Sequence, residues 1–285
     1  ESDSRKECII KIVANVVSDE IRRSLIENIL MAIDSLNDLK STIVGVVLEE
    51  NCGSNTCVPH IENNERLIFG QKKYIIDQIL DVDFRIDLSA FFQVHTKLAP
   101  MLFNTIGENI SIDHNTVLLD LCAGTGVMGL ILGKKAKEIV FVECEEKSCE
   151  SIKFNIGLNQ NSKSSEFDNL ESKSIILNKK VEDVIQEIQL RYSGKGIRIV
   201  AILDPPRAGI LPSMASSLRI FRGLDEILFV ACDFNQATES LKRLCSEESR
   251  TYRGPPFSPL LVQPIDLFPN TPHFETLIHL KRLYE

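Results

Sequence analysis

The stretch LLDLCAGTGVMG, Leu118–Gly129, decides the fold class of this 285-residue sequence. An apolar run ends at Leu121, and Gly124, Gly126 and Gly129 follow it in a G-x-G-x-x-G arrangement before a second apolar segment. Glycines at these spacings let the chain turn tightly between a strand and a helix, and they let the backbone come close to a ligand. The stretch therefore predicts a strand, a ligand-binding turn and a helix in succession.

From residue 96 onwards, short apolar stretches alternate with helical patterns. The predicted strands are TVLLDL, EIVFVE, SIILN, IRIVAILD and EILFVA. Short apolar strands separated by helices are typical of a parallel sheet that is covered on both faces. The last two strands, LLVQPIDLF and FETLIHLKRL, are separated by PNTP, which is too short for a helical crossover and predicts an antiparallel pair. The predicted fold class is α/β, with a doubly wound, mostly parallel, Rossmann-like sheet.

The first 90 residues lack this alternation. They predict a strand, a helix, a second strand and three short β segments, with a turn-rich loop at residues 51–64. We therefore expect two domains, a smaller α+β domain at residues 1–90 and a Rossmann-like domain at residues 91–285.

Composition narrows the function classes. A net charge of -8 disfavours a surface that attracts nucleic acid everywhere, although it allows a local basic patch. No apolar stretch approaches the roughly 20 residues of a membrane span. The eight cysteines lack paired C-x2-C spacing and secretory context, and the five histidines lack metal-ligand spacing. We expect no metal, no membrane, and a reducing compartment, either the cytoplasm, the nucleus or a mitochondrion. The opening ESDSRKE without Met predicts a processed or trimmed chain, and the oligomeric state stays open.

Glu143 ends the next predicted strand, 19 residues after Gly124, where a carboxylate can accept the ribose hydroxyls of a nucleoside. This order of elements favours a nucleoside cofactor over an ordinary β–α turn. NAD fits the spacing, but Asp120 is expected just before the turn, where it would repel a pyrophosphate and suit a cationic ligand. S-adenosylmethionine fits better, and an NAD-dependent oxidoreductase is the alternative.

A second group of residues follows the fourth and fifth strands. The segment AILDPPRAGI places Asp204 at a strand end, and its two prolines stiffen a turn that ends in Arg207 and could hold a flat base. Cys232 ends the next strand, and Asp233 with Gln236 predicts a helix start immediately after it. The helix start would lower the thiol pKa, and Asp233 would oppose that effect. The alternatives are a structural turn and a buried, inert thiol.

Five motifs identify the chain as similar to the RNA uracil-5-methyltransferase family, closest to the catalytic part of a eukaryotic tRNA uracil-5-methyltransferase. They occur in the family's order and are FFQVHT (residues 91–96), LLDLCAGTG (118–126), DPPRAG (204–209), FVACDF (229–234) and DLFPNTPHFET (266–276). The resemblance implies a methyltransferase that uses S-adenosylmethionine and acts on RNA, most closely tRNA. It also implies a further N-terminal RNA-binding domain, which we expect to be absent here.

The resemblance assigns roles residue by residue. It implies S-adenosylmethionine contacts at Gln93, Cys122, Glu143 and Asp204, beside the glycines of the turn, with Cys232 as nucleophile and Glu275 as base. This chain departs from the family's Ser-Cys-Asn-Pro with Ala231, Asp233 and Phe234, and from a frequent Asn with His95; Cys122 stands where relatives often carry an aromatic residue.

The chemistry explains why these groups are needed. Thiolate attack at C6 of uracil makes C5 nucleophilic, and a base then removes the C5 proton so that the thiolate can leave. Pro269 and Pro272 predict that Glu275 is delivered from a rigid loop rather than from a strand interior.

The predicted RNA contacts are Lys72, Lys73, Arg85 and Arg207, with ordinary solvated charge as the alternative for the first three. The remaining alternatives are an RNA-binding module that has lost turnover, and a cytosine-5 or amino methyltransferase.

Overall fold

A computed structural model of the chain describes residues 7–16, 18–50, 65–88, 97–160, 167, 169–192 and 196–282. The chain divides into two units, Glu1–Asp77 with Arg85–Ala90, and Gln78–Phe84 with Phe91–Glu285. None of the helices within the described ranges is both long enough and apolar enough to cross a bilayer.

The smaller unit is built on a three-stranded sheet. Its elements are β1 (Cys8–Ala14), α1 (Asp19–Asp34), a 3₁₀ helix (Asn37–Thr42), β2 (Ile43–Glu50) and β3 (Glu65–Gly70). Strand β2 lies in the centre, parallel to β1 and antiparallel to β3. Helix α1 begins at Ser18, whose hydroxyl accepts a hydrogen bond from the Ile21 amide. Strands β4 (Tyr74–Ile79) and β5 (Val82–Asp87) form a hairpin whose residues are divided between the two units.

The larger unit is the predicted α/β fold. Its elements are α2 (Ala99–Asn109), β6 (Thr116–Leu121), α3 (Val127–Leu132), β7 (Glu138–Glu143), α4 (Glu146–Gln160), β8 (Ser174–Asn178), α5 (Val181–Tyr192), β9 (Arg198–Leu203), α6 (Pro212–Ile220), β10 (Leu224–Ala231), α7 (Phe234–Cys245), β11 (Phe257–Ile265) and β12 (Glu275–Arg282). The sheet order is β11-β12-β10-β9-β6-β7-β8. Strands β6 to β10 are parallel, and β11 and β12 are antiparallel to each other, as predicted.

The central strands of the sheet, β6, β9 and β10, are buried on both faces, and most of their residues are apolar. Along β6, Leu118 belongs to one buried cluster, whereas Val117 and Leu119 belong to the other. The first cluster includes side chains from α2, α3 and α4, and the second includes side chains from α5, α6 and α7. Alternation of this kind is expected of strands that are buried on both sides.

One predicted helix is shorter than its pattern. The segment VMGLILGKKA suggests a helix to residue 136, but α3 ends at Leu132, where the Gly133 amide donates to the Gly129 carbonyl. A Cβ at Gly133 would lie 2.5 Å from that carbonyl oxygen and 2.6 Å from Ile139. The backbone at Gly133 is therefore too close to these atoms for any residue with a side chain. The prediction was wrong because this close approach depends on tertiary packing.

The sheet order places the candidate site. Strands β7 and β8 extend from β6 in one direction, and β9 and β10 extend in the other. Open α/β sheets bind ligands at the carboxyl ends of the strands, where the order reverses. Leu121 and Leu203 are register partners on β6 and β9, so Cys122 and Asp204 follow directly on either side of the switch point.

Candidate active site

The turn after β6 has a backbone that favours glycine. The φ angles of Cys122, Gly124 and Gly126 are +65°, +54° and +83°, all in the left-handed region. A Cβ on Gly124 would meet nothing within 4 Å, so open space lies above this residue. A Cβ on Gly129 would lie 2.4 Å from Phe141, so this third glycine is needed for packing instead. The turn thus leaves its first glycine accessible and closes its last one against the core.

Glu143 is oriented by the same turn. One of its carboxylate oxygens accepts a hydrogen bond from the Gly124 amide at 2.9 Å, and the other accepts from the Glu145 amide at 2.9 Å. A carboxylate has about four acceptor positions, so two remain for other donors. A half-buried carboxylate beside the glycine turn can therefore accept hydrogen bonds from hydroxyl groups of a ligand, and its binding of ribose stays a prediction.

Asp120 differs from its prediction. Its side chain is buried, and its Oδ2 accepts a hydrogen bond from the Gly129 amide at 2.8 Å. Burial raises the pKa of Asp120 to about 8, and the charges of Asp204 and Glu143 add to the increase. Asp120 is therefore largely neutral at pH 7, and it cannot repel a pyrophosphate in the way the sequence suggested. The negative charge that would attract a cationic ligand comes from Glu143 and Asp204.

The turn after β9 carries a carboxyl group, Asp204, and a guanidinium group, Arg207. Burial raises the pKa of Asp204 to about 6, below neutral pH, so this carboxyl group is mostly ionised. Arg207 is exposed and lines a small pocket together with Pro205, Pro206 and Cys232. Because β9 lies between β6 and β10, the Asp-Pro-Pro-Arg segment lies between the glycine turn after β6 and Cys232 at the end of β10.

The pairing of β10 with β12 brings the two predicted catalytic residues together. Ala231 faces Thr276, and Val230 faces Leu277, in an antiparallel register. The register ends at the pair of Ala231 and Thr276, and Cys232 and Glu275 are the next residues of the two chain segments. They are close enough for the charge of Glu275 to raise the pKa of the Cys232 thiol. Two residues that are distant in the sequence thus lie near each other at the carboxyl edge.

The helix start predicted after Cys232 is present. Asp233 is the N-cap of α7, and its carboxylate accepts a hydrogen bond from the Gln236 amide at 3.2 Å. The thiol pKa, however, is raised and not lowered. Burial is the main cause, and the charges of Glu275 and Asp204 add to it, whereas a hydrogen bond and the charge of Arg207 act against it. The direction of this shift is opposite to the one predicted from the helix start, because the thiol is partly buried and lies near two carboxylates.

Glu275 is the first residue of β12 and not part of the preceding loop, because it pairs with Ile265 of β11. Its side chain is 4% exposed, and its Oε2 has no hydrogen-bond partner among the described residues. Burial raises the pKa of Glu275 to about 7, with a further increase from Asp204 and a smaller decrease from Arg207. A carboxyl group with a pKa near neutral pH can take up and release a proton under physiological conditions.

Some residues named in the sequence analysis are not described by the structure, and others have partners within the smaller unit. Gln93 and His95 fall outside the described residues. Of the predicted RNA contacts in the smaller unit, Lys72 pairs with Glu7 at 2.7 Å, and Arg85 pairs with Asp87 at 2.8 Å. These two side chains have partners within the chain, which favours the alternative of ordinary solvated charge.

Two buried asparagines were missed in the sequence. Asn155 and Asn159 lie one turn apart on α4, and Asn155 donates to the Thr125 carbonyl of the glycine turn at 3.0 Å. Asn159 donates to the Asp83 carbonyl at 2.7 Å. Two amides spaced i, i+4 on the apolar side of a helix were the available signal, since buried amides need partners. The Thr125 hydroxyl is also buried, without a hydrogen-bond partner among the described residues.

Comparisons with known proteins identify the family of this chain. The sequence profile of the family described as tRNA (Uracil-5-)-methyltransferase matches residues 62–283. The tRNA (uracil-5-)-methyltransferase homolog B of Pongo abelii is 33% identical over 228 residues, covering 78% of this chain and 44% of the relative. Homolog A of Mus musculus is 34% identical over 211 residues, covering 74% and 32%. The chain thus spans less than half the length of these relatives.

A solved structure shares the fold. The Pyrococcus abyssi tRNA (uracil-54, C5)-methyltransferase, in complex with S-adenosyl-L-homocysteine, superimposes with a TM-score of 0.65 at 21% identity, covering 96% of this chain and 56% of that one. The match between the family profile and most of the sequence settles the classification. The chain belongs to the tRNA (uracil-5-)-methyltransferase family.

Proposed function

We propose that this chain transfers a methyl group from S-adenosylmethionine to C5 of uracil in tRNA. In this proposal residues 91–285 form the catalytic domain, and residues 1–90 form a smaller α+β domain. The observation that carries the proposal is the pairing of β10 with β12, which supports a role for Cys232 and Glu275 as neighbours at the carboxyl edge. Family membership supports the choice of uracil and tRNA.

The residues around the switch point fit the cofactor. S-adenosylmethionine supplies an electrophilic methyl group on a positively charged sulfur. Glu143 and Asp204 would hold it together with the backbone at Gly124 and Gly126, and Cys122 and Gln93 would complete the contacts. The open space above Gly124 and the ionised carboxyl group of Asp204 suit a ligand that carries positive charge and no phosphate.

Cys232 forms the covalent bond to the substrate. Its thiolate attacks C6 of a uracil that has been swung out of the RNA stack, which leaves an enolate with a nucleophilic C5. Because burial raises the thiol pKa in the free protein, the hydrogen bond from Arg207 is needed to favour the thiolate. The reaction requires a reduced thiol, so we place the protein in a reducing compartment.

Glu275 completes the reaction. Once C5 carries the methyl group, the Glu275 carboxylate accepts the remaining C5 proton, the C5–C6 double bond re-forms, and the Cys232 thiolate leaves. A pKa of about 7 supports this role, since the group is partly ionised at neutral pH and basic enough to accept a proton.

The test uses tRNA that contains 5-fluorouridine, in which fluorine replaces the C5 proton and blocks the last step. With S-adenosylmethionine, the wild-type chain should form a covalent protein–RNA adduct that denaturing gels resolve, and Cys232→Ala should form none. Ordinary unmodified tRNA should yield 5-methyluridine with the wild type, and Glu275→Gln should instead accumulate the adduct. Wild-type protein that binds RNA without adduct or product would favour the alternative of an RNA-binding module without turnover.

A further inference from the structure

Two exposed phenylalanines border the proposed catalytic pair. Phe234 is 39% exposed and lies two residues after Cys232, and Phe274 is 43% exposed and immediately precedes Glu275. Among the described phenylalanines, only Phe154 on α4 is comparably exposed, at 37%. An exposed aromatic side chain does not contribute the free energy that its burial would give to folding. Two of them near one edge therefore indicate a surface that binds a partner.

Both aromatic residues stand on ordered backbone. Phe234 is the first residue of α7 and follows an N-cap that holds the helix start. Phe274 follows a turn in which the Thr271 amide donates to the Phe268 carbonyl, and the His273 amide donates to the Thr271 hydroxyl, each at 3.2 Å. A side chain on such backbone loses little conformational entropy when a ligand binds it.

Both phenylalanines lie near the carboxyl edge of the sheet. Phe234 begins helix α7 shortly after β10 ends, and Phe274 is the last residue before β12 begins. Each one is therefore within two residues of a proposed catalytic residue along the chain.

This arrangement suits a strand of RNA that crosses the edge. A uracil that reaches Cys232 must leave its stack, and its neighbouring bases then need new stacking partners. Aromatic side chains provide these for any base. With a net charge of -8, the protein gains little RNA-binding free energy from overall attraction to phosphates. Base stacking requires no positive surface, so it can supply a larger share of that free energy.

We propose that Phe234 and Phe274 stack on unpaired bases that border the target uridine, and so act as binding residues for the RNA strand. The inference rests on the proposed function. Because both contacts would be present before and during the reaction, their loss should raise KM for RNA and leave kcat unchanged.

The first experiment uses tryptophan fluorescence, because the sequence has no tryptophan. Phe234→Trp, Phe274→Trp and the control Phe154→Trp each contain a single reporter. Titration with an unmodified tRNA transcript should quench the first two and leave the third unchanged. Equal emission changes in all three variants, or none in any, would overturn the inference, and this result does not depend on turnover.

The second experiment uses methyl transfer to the same transcript. Phe234→Ala and Phe274→Ala should each raise KM for RNA by about 5- to 150-fold, the loss expected for one base–aromatic stack. Phe→Trp should restore KM and Phe→Leu should not, whereas Phe154→Ala should match the wild type. The affinity for S-adenosylmethionine and the salt dependence of RNA binding should stay unchanged.

The outcomes separate the two proposals. If the wild type forms 5-methyluridine and both alanine variants keep its KM, the stacking inference is wrong and the proposed function stands. If the wild type forms no product, the proposed function fails, and the fluorescence titration alone decides whether RNA bases stack on these side chains.

Discussion

Replacing the proposed base should make the protein more stable while it removes turnover. Glu275 is 4% exposed, and burial raises its pKa from 4.5 to about 7. A carboxyl group whose folded pKa lies above its unfolded pKa favours unfolding as the pH rises between those two values. Above pH 7 the ionised Glu275 thus destabilises the fold, and below pH 4.5 it has no effect.

The magnitude follows from the shift. About 2.5 pKa units at about 1.4 kcal/mol each amount to about 3 kcal/mol at pH 8. Glu275→Gln removes the ionisation and should stabilise the protein by that amount at pH 8. For 285 residues the unfolding entropy is about 0.6 kcal/mol per degree, so the melting temperature should rise by about 5 °C. At pH 4.5 or below, glutamine and the protonated carboxyl group carry similar polar groups, and the two proteins should melt together.

The assay is thermal unfolding of wild type and Glu275→Gln from pH 4 to pH 8, followed by circular dichroism. Glu171→Gln is the control, since Glu171 is exposed and its replacement should change the stability little. A Glu275→Gln variant that is equally stable or less stable than the wild type at pH 8 would refute the reasoning. In that case burial does not disfavour the ionised carboxylate, and its role as a base near neutral pH loses its physical support.

Three further predictions follow from the site and its supports. The value of kcat/KM should rise with pH through about 7 as Glu275 ionises. It should keep rising above pH 9, because burial raises the pKa of the Cys232 thiol. A flat profile from pH 6 to 9 would contradict the raised pKa values of both groups. Gly129→Ala should lower the unfolding free energy by about 1–3 kcal/mol in urea titrations, because its Cβ would lie 2.4 Å from Phe141; an unchanged midpoint would show that the turn can relax. Arg219 is 1% exposed and donates hydrogen bonds to backbone carbonyls of residues 243–254. Replacing it with alanine should lower the unfolding free energy by more than about 3 kcal/mol, because these carbonyls lose their partner. A variant that melts like the wild type would show that Arg219 does not stabilise this segment.

The sequence by itself determined the α/β fold class and the order of strands and helices. Strands that are buried on both faces are mostly apolar, and the apolar residues of LLDL, IVFV and ILFV show this locally. The left-handed backbone at Gly124 and Gly126 is likewise a local requirement. The connection between the last two strands runs over residues 266–274, which is longer than the predicted PNTP but still too short for a helical crossover, and the predicted antiparallel orientation is confirmed. Such signals involve neighbouring residues, so they need no knowledge of the packing.

Only the tertiary structure decided which groups are charged and which residues meet. Cys232 and Glu275 are distant in the sequence and come together through the register of β10 and β12. The neutral state of Asp120, the raised pKa of Cys232 and the near-neutral pKa of Glu275 arise from burial and from carboxylates on other strands. The early end of α3 also depends on a contact with β7. Desolvation and close packing depend on atoms that are brought together from the whole chain, and a local pattern does not contain them.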